Sequence, residues 1–264
     1  MSRRSWLFGA AAVIVLAGVA AAVRSDSGTP AIGFVAPDAA ADPTTEANGA
    51  TGRGDTAVIP PLAANGYPKV PVGHALGLLD RLVVDDTDAP VPYDRRRFGP
   101  GWADPDGNGC TGRQEALMAW AQPGTLTRGP HCSVQAVTIE SLYDGIEVVA
   151  ASTSEVEQKI QVDHVVPVHD AFRRLCCVTG PDAQRLRELF YNDPENLLPV
   201  SAEANQAKSD FLVGDARLHL ATPDAACFVA DHTVRVKVAY KLPVTAREAG
   251  ALRSELARCS DPSG

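Results

Sequence analysis

Apolar and polar residues follow two different rhythms along this chain, and the change of rhythm marks its elements. From His74 to Val84 (HALGLLDRLVV), Leu76, Leu79, Leu82 and Val83 recur at helical spacing, which predicts a helix with one apolar face. Arg113 to Trp120 is a shorter helix by the same test. Ile146 to Ala150 (IEVVA) and Lys159 to Val166 (KIQVDHVV) read as strands, with Ile160, Val162 and His164 on one face of the second. Pro181 to Phe190 is helical and Leu197 to Val200 extended. Ser201 to Lys208 is a helix with Ser201 as its N-cap. Asp231 to Lys241 alternates as a strand, and Thr245 to Arg258 is a closing helix in which Thr245 and Glu248 match a capping box. Between these, Tyr93 to Trp102 is aromatic and basic but broken by Gly99, Pro100 and Gly101. Mixed elements with no internal repeat and no regular strand–helix alternation predict an α+β fold.

Before about residue 70 neither rhythm is present. Arg3 and Arg4 precede an uncharged run of 18 residues, Trp6 to Val23, closed by Arg24. A basic start, an apolar stretch and small residues at Ala20-Ala21-Ala22 make residues 1–25 either a cleaved signal peptide or a signal anchor, since the run just reaches membrane-spanning length. Ser2-Arg3-Arg4-Ser5-Trp6-Leu7 also matches a twin-arginine export signal, with Trp6 in place of the usual Phe. Residues 26–69 are rich in Ala, Gly, Pro, Thr and Asp, a composition that predicts a disordered linker. They contain Arg53-Gly54-Asp55, an adhesion tripeptide that arises often by chance. The folded region is then 70–264. Each version places it outside the cytoplasm, secreted or membrane-anchored. The six cysteines, an even number with no CxxC pair, agree with a disulfide-forming compartment and argue against a paired-cysteine zinc site. Six cysteines allow 15 pairings, and spacing alone selects none.

Charge narrows the function classes. Twenty-four Lys plus Arg face 32 Asp plus Glu, and three of the arginines lie in the acid-free first 25 residues, so the remainder is more acidic than the net −8 suggests. Such a balance excludes a protein that coats nucleic acid by bulk electrostatics, though not one with a local site. A hydrophobic content of 45% with 21% charged residues excludes wholesale disorder.

The candidate chemistry lies between Asp163 and Asp210. Asp163-His164-Val165-Val166-Pro167 sets a carboxylate beside an imidazole where Pro167 interrupts a strand. A carboxylate ligand next to an imidazole base can pair a metal with an activated water. Asn196 follows His164 by 32 positions, Asn205 lies nine further on, and Lys208 three beyond that, one turn along the same helix face. Alone, the Asp-His step is weak, because adjacent strand residues point to opposite faces unless the strand ends there.

These residues resemble the HNH (His-Me finger) endonuclease superfamily, in particular exported HNH-type proteins of the actinobacterial kind. The likeness extends from about Leu76 to Cys259. It includes Tyr93-Asp94-Arg95-Arg96-Arg97-Phe98-Gly99, the stretch from Trp102 through Asp104, Asp106, Asn108, Gly109 and Cys110 to Arg113, the segment Arg187 to Pro194, and the Cys227–Cys259 tail. The resemblance implies a ββα-metal nuclease core with added helices and a disulfide-stapled periphery. It implies divalent-metal-dependent hydrolysis of phosphodiester bonds in DNA or RNA. His164 matches the general base and Asn196 the residue that holds the loop beneath it. Asp163 and Asn205 match the metal ligands, with Asn205 standing where the family signature ends in His. Two oxygen ligands suit Mg²⁺ or Mn²⁺ better than Zn²⁺. Lys208 and Arg187 are assigned to substrate phosphate, and His169 is left as a helix or loop histidine. The same resemblance implies the pairs Cys110–Cys132 and Cys227–Cys259, and leaves Cys176 and Cys177 either bridged or as free or intermolecular thiols.

Two alternatives stand beside this reading. Asp104, Asp106, Asn108 and Glu115 satisfy the spacing of a calcium loop, although Asp, Asn and Gly are also what a tight turn selects. The nuclease fold could also survive as a non-enzymatic binding module of the cell envelope. No protein partner follows from the sequence.

Overall fold

A computed structural model describes residues 70–215 and 218–259. The expected signal segment 1–25 and linker 26–69 therefore lie outside the described residues. Among the described residues, no helix is long and apolar enough to cross a membrane.

The fold is α+β. Helix α1 (Val72–Leu79) is followed by a 3-10 turn at Arg95–Phe98 and helix α2 (Gly112–Ala119). Strands β1 (Thr127–Arg128), β2 (Val134–Glu140) and β3 (Glu147–Ala150) form an antiparallel sheet in that order. Helix α3 (Thr153–Lys159) then leads directly into β4 (Ile160–His164), which pairs antiparallel with β5 (Leu197–Ser201). Helices α4 (Val168–Leu175) and α5 (Ala183–Asn192) and a 3-10 turn at Pro194–Asn196 connect the two strands. Helix α6 (Ala202–Lys208) continues from β5 without a loop. Two long helices, α7 (Pro223–Ala239) and α8 (Ala246–Leu256), complete the chain.

Local chemistry accounts for several starts. Thr111 and Gln114 form a reciprocal capping box on α2, and the Ser201 hydroxyl accepts the Ala204 N–H at the head of α6. The hydroxyl of Thr245 likewise accepts the Glu248 N–H to begin α8. Helix α2 starts at Gly112 because a Cβ there would sit 2.9 Å from the Asn192 carbonyl oxygen; only glycine allows the two backbones so close.

The stretch Asp231–Lys241, expected as a strand, is helix as far as Ala239. Its alternation of Val with Arg and Lys mimics a half-buried strand, but Thr222 caps and Pro223 opens a 17-residue helix that passes through the middle of the fold. Buried residues surround much of that helix, including Phe228, Val229, Val234 and Val236, so no polar stripe betrays its period. Strand β2 and helices α3 and α4 are additions to the predicted elements.

A buried ionic cluster ties three helices together. Lys237 of α7 is wholly buried, and its Nζ donates to Asp170 of α4 (2.6 Å), to Glu248 of α8 (2.8 Å) and to the Pro243 carbonyl (3.1 Å). Burial pushes the Glu248 carboxyl above its ordinary range, while Lys237 pulls it back. The bridges Cys110–Cys132 and Cys227–Cys259 are both present, and Cys176 and Cys177 are bridged to each other.

Replacing Lys237 by Ala leaves Glu248 buried without its cation and Asp170 with Arg173 alone. The expected loss is about 3–5 kcal/mol at pH 7, read by urea unfolding. The deficit shrinks at pH 5, where the released Glu248 carboxyl, already raised by burial, takes up a proton.

Candidate active site

β4, β5 and α6 form a strand–strand–helix unit, and the alternation of β4 sorts its side chains to two sides. Gln161 and Asp163 leave β4 toward α6. Asn205 and Lys208, one helical turn apart on α6, meet them: the Asn205 Nδ2 donates to the Gln161 Oε1 (2.6 Å) and the Lys208 Nζ pairs with the Asp163 Oδ2 (2.8 Å). Asp163 Oδ2 also accepts the Tyr143 hydroxyl at 2.8 Å. Tyr143 comes from the loop between β2 and β3, and that loop is fastened to the β5–α6 junction by the bond from Ser201 Oγ to Asp144 Oδ2 (2.5 Å). Burial and the adjoining Asp163 carboxylate push the Tyr143 hydroxyl well above its ordinary value, so it remains a donor.

Among the described residues, neither Asp163 Oδ1 nor Asn205 Oδ1 makes a hydrogen bond within the protein. Two hard oxygen donors, one anionic, are thus left open on the seam between β4 and α6. This donor set fits a hard divalent cation. It is not a cage of acidic, cysteine or histidine ligands; no group of three or more such side chains able to hold a metal occurs among the described residues.

His164 ends β4 and points to the other side. Its ring is 4% exposed, parallel to Trp102 (centroids 5.7 Å, 4° between planes) and beside Tyr191 (4.6 Å). Its Nε2 lies 2.8 Å from the Tyr191 carbonyl oxygen. A carbonyl can only accept, so Nε2 carries the hydrogen and Nδ1 keeps its lone pair. Burial lowers the His164 pKa to about 4, the Tyr191 carbonyl working the other way. The imidazole is therefore neutral at physiological pH.

Asn196, fully buried, determines where the strand stops. Its carbonyl accepts the Val165 N–H (2.9 Å) and its side-chain Oδ1 accepts the Val166 N–H (2.8 Å), so the chain turns directly after His164. Asn192 acts similarly one segment away: its Oδ1 accepts the Ala103 N–H (2.9 Å), holding the Trp102 stretch against α5.

Three of the sequence-based site assignments fall on residues whose side chains are engaged within the protein. Lys208 does not face outward to a phosphate; it is 3% exposed, its charge is matched by Asp163, and it also donates to the His164 carbonyl (3.3 Å). Arg187 is not brought to the cluster, because its guanidinium donates to the carbonyls of Arg97 (2.9 Å) and Leu175 (3.2 Å) and braces the end of the 3-10 turn against α4. The Asp104–Glu115 loop closes as a hydrogen-bonded turn. Asp104 accepts from the N–H groups of Gly107, Asn108 and Gly109, Asp106 accepts from the Asn108 amide, and Asn108 donates to Glu115. Tyr143 and Gln161 carried no signal in the sequence, since Tyr143 is 20 positions from the carboxylate it touches.

Residues 128–255, which contain this whole unit, match the family model described as GmrSD restriction endonucleases, C-terminal domain. An uncharacterized secreted protein of Arthroderma benhamiae is 30% identical over 196 residues, covering 73% of this chain and 88% of that protein. No solved structure matches the chain significantly.

The locked tautomer is directly measurable. In ¹⁵N-resolved spectra His164 should show a protonated Nε2 and a bare Nδ1 from pH 8 down to about 5, titrating only toward about 4. A midpoint near the ordinary histidine value would contradict the burial described.

Proposed function

Because the chain belongs to one family with the secreted Arthroderma benhamiae protein and matches a nuclease family over residues 128–255, we propose that it is an HNH-type endonuclease acting outside the cytoplasm. Its reaction is divalent-metal-dependent hydrolysis of phosphodiester bonds in DNA or RNA. One observation carries this reading: a neutral imidazole of fixed tautomer closes the same short strand whose preceding residue offers an open carboxylate oxygen to α6.

Each residue's contribution follows from its surroundings. His164 takes a proton from water at Nδ1 as the water oxygen bonds to phosphorus, and the Tyr191 carbonyl stabilises the resulting imidazolium through Nε2–H. Asp163 and Asn205 would hold the cation, Mg²⁺ or Mn²⁺. When bound, that ion adds positive charge where the phosphate and the departing oxygen gain negative charge. Lys208 pins Asp163 by one oxygen, so the other stays available. The Gln161 bond to the Asn205 Nδ2 orients the Asn205 amide oxygen away from Gln161. Asn196 fixes the turn and touches nothing that reacts.

Export rests on the basic-apolar N-terminal run and on the three disulfides. The acidic net charge sets the substrate contact apart from that of a coating protein: a few local groups hold the phosphate, and binding weakens with salt.

The full chain should nick supercoiled plasmid with Mg²⁺ or Mn²⁺ and stop on chelation. His164→Ala should lower the rate by about 10²–10⁴-fold, the usual range for loss of a positioned base. The acid limb of the wild type should fall near pH 4 rather than 6.5, because the His164 base must be neutral and burial lowers its pKa to about 4. Binding of nucleic acid without cleavage would favour the envelope binding module instead. Equal nicking by wild type and His164→Ala would overturn the assignment of the base.

A further inference from the structure

The two cations assigned to substrate phosphate from the sequence are both engaged inside the protein, which leaves the phosphate without a protein counter-charge. The cations around the base can be taken in turn. Lys208 is paired with Asp163. Arg97 donates to the Cys176 carbonyl (3.0 Å), Arg113 to the Ile160 carbonyl (3.3 Å), and Arg187 to the Arg97 and Leu175 carbonyls. Arg95 differs from all of these. Its Nη2 donates to the Tyr191 hydroxyl (2.7 Å) and its guanidinium lies over the Tyr191 ring, 5.1 Å from the centroid. A further hydrogen bond joins it to Tyr93, so its side-chain partners are two tyrosines, and among the described residues no carboxylate forms a salt bridge with it. The neighbouring acid, Asp94, holds Arg96 through both of its oxygens (2.9 and 3.1 Å) and leaves Arg95 alone.

Tyr191 connects Arg95 to the base. The ring that carries the guanidinium belongs to the residue whose carbonyl fixes His164, and the two rings are 4.6 Å apart. A partly exposed guanidinium, oriented by two tyrosines and with N–H groups to spare, matches a phosphate in shape and charge.

The geometry points to Arg95 as the substrate-binding residue that receives the scissile phosphate on the His164 side. This rests on the nuclease reading and adds to it: Arg95, not Lys208 or Arg187, supplies the protein's positive charge to the substrate. Tyr191 is its positioning residue.

The test compares full-length wild type, Arg95→Ala, Arg95→Lys and, as a distant control, Arg253→Ala, whose native partner is Asp80. The readout is kcat/KM for cleavage of a labelled oligonucleotide across a salt series. Arg95→Ala should lower kcat/KM by about 100-fold and make its dependence on log salt shallower by about one unit, as expected for one lost phosphate contact. Arg95→Lys should keep the wild-type salt slope but recover only part of the rate, because an ammonium lacks the planar fork. Arg253→Ala should stay within about twofold of wild type. Should Arg95→Ala fail to fold by circular dichroism, Arg95→Lys decides: a loss of about tenfold with the slope kept supports the inference, and wild-type rates overturn it. Active wild type with an equally active Arg95→Ala overturns this inference and leaves the nuclease reading standing. A wild type that neither cleaves nor binds nucleic acid overturns both.

Discussion

One buried amide decides where β4 ends. Asn196 accepts two successive backbone N–H groups, those of Val165 and Val166, one through its carbonyl and one through its side chain. Each would otherwise be a buried donor without a partner, at a cost of about 1–3 kcal/mol. With the strand stopped there, His164 becomes its last residue and the chain turns toward α4. Everything functional depends on that stopping point. One residue earlier, the imidazole would exchange faces with Asp163, the bond to the Tyr191 carbonyl would be lost, and the carboxylate would leave α6.

The same constraint explains how adjacent residues serve different tasks. Asp163 needs a polar setting, and finds Lys208, Tyr143 and the amides of Gln161 and Asn205 between β4 and α6. His164 needs a setting that keeps it neutral, and finds Trp102, Phe190 and Tyr191. A strand separates two such environments by one bond vector, with no additional architecture. The ionic cluster of Lys237, Asp170 and Glu248 then anchors α4, the helix that follows the turn, to α7 and α8.

Much of this was readable in the sequence where the signal is local. The strand KIQVDHVV, the Ser201 cap and the one-turn spacing of Asn205 and Lys208 all appear in the fold, because each depends on residues a few positions apart. Spacing on a helix face does not reveal what covers that face. For that reason the burial of Lys208 against Asp163, and the bonds of Arg187 to the Arg97 and Leu175 carbonyls, were not legible there. The contacts that complete the site cross long stretches of chain: Tyr143 reaches Asp163 over 20 residues and Arg95 reaches Tyr191 over 96. Helix α7 is obscured for a different reason, since a helix buried on most sides loses the polar stripe that announces its period.

The central claim is that the seam between β4 and α6 is a divalent-cation site next to a neutral base. The most direct measurement is anomalous diffraction from crystals of the protein grown with Mn²⁺. The account predicts a manganese peak bound by the open oxygens of Asp163 and Asn205, absent in Asn205→Ala. A well-ordered seam with no peak, or a peak held by other residues, would contradict it.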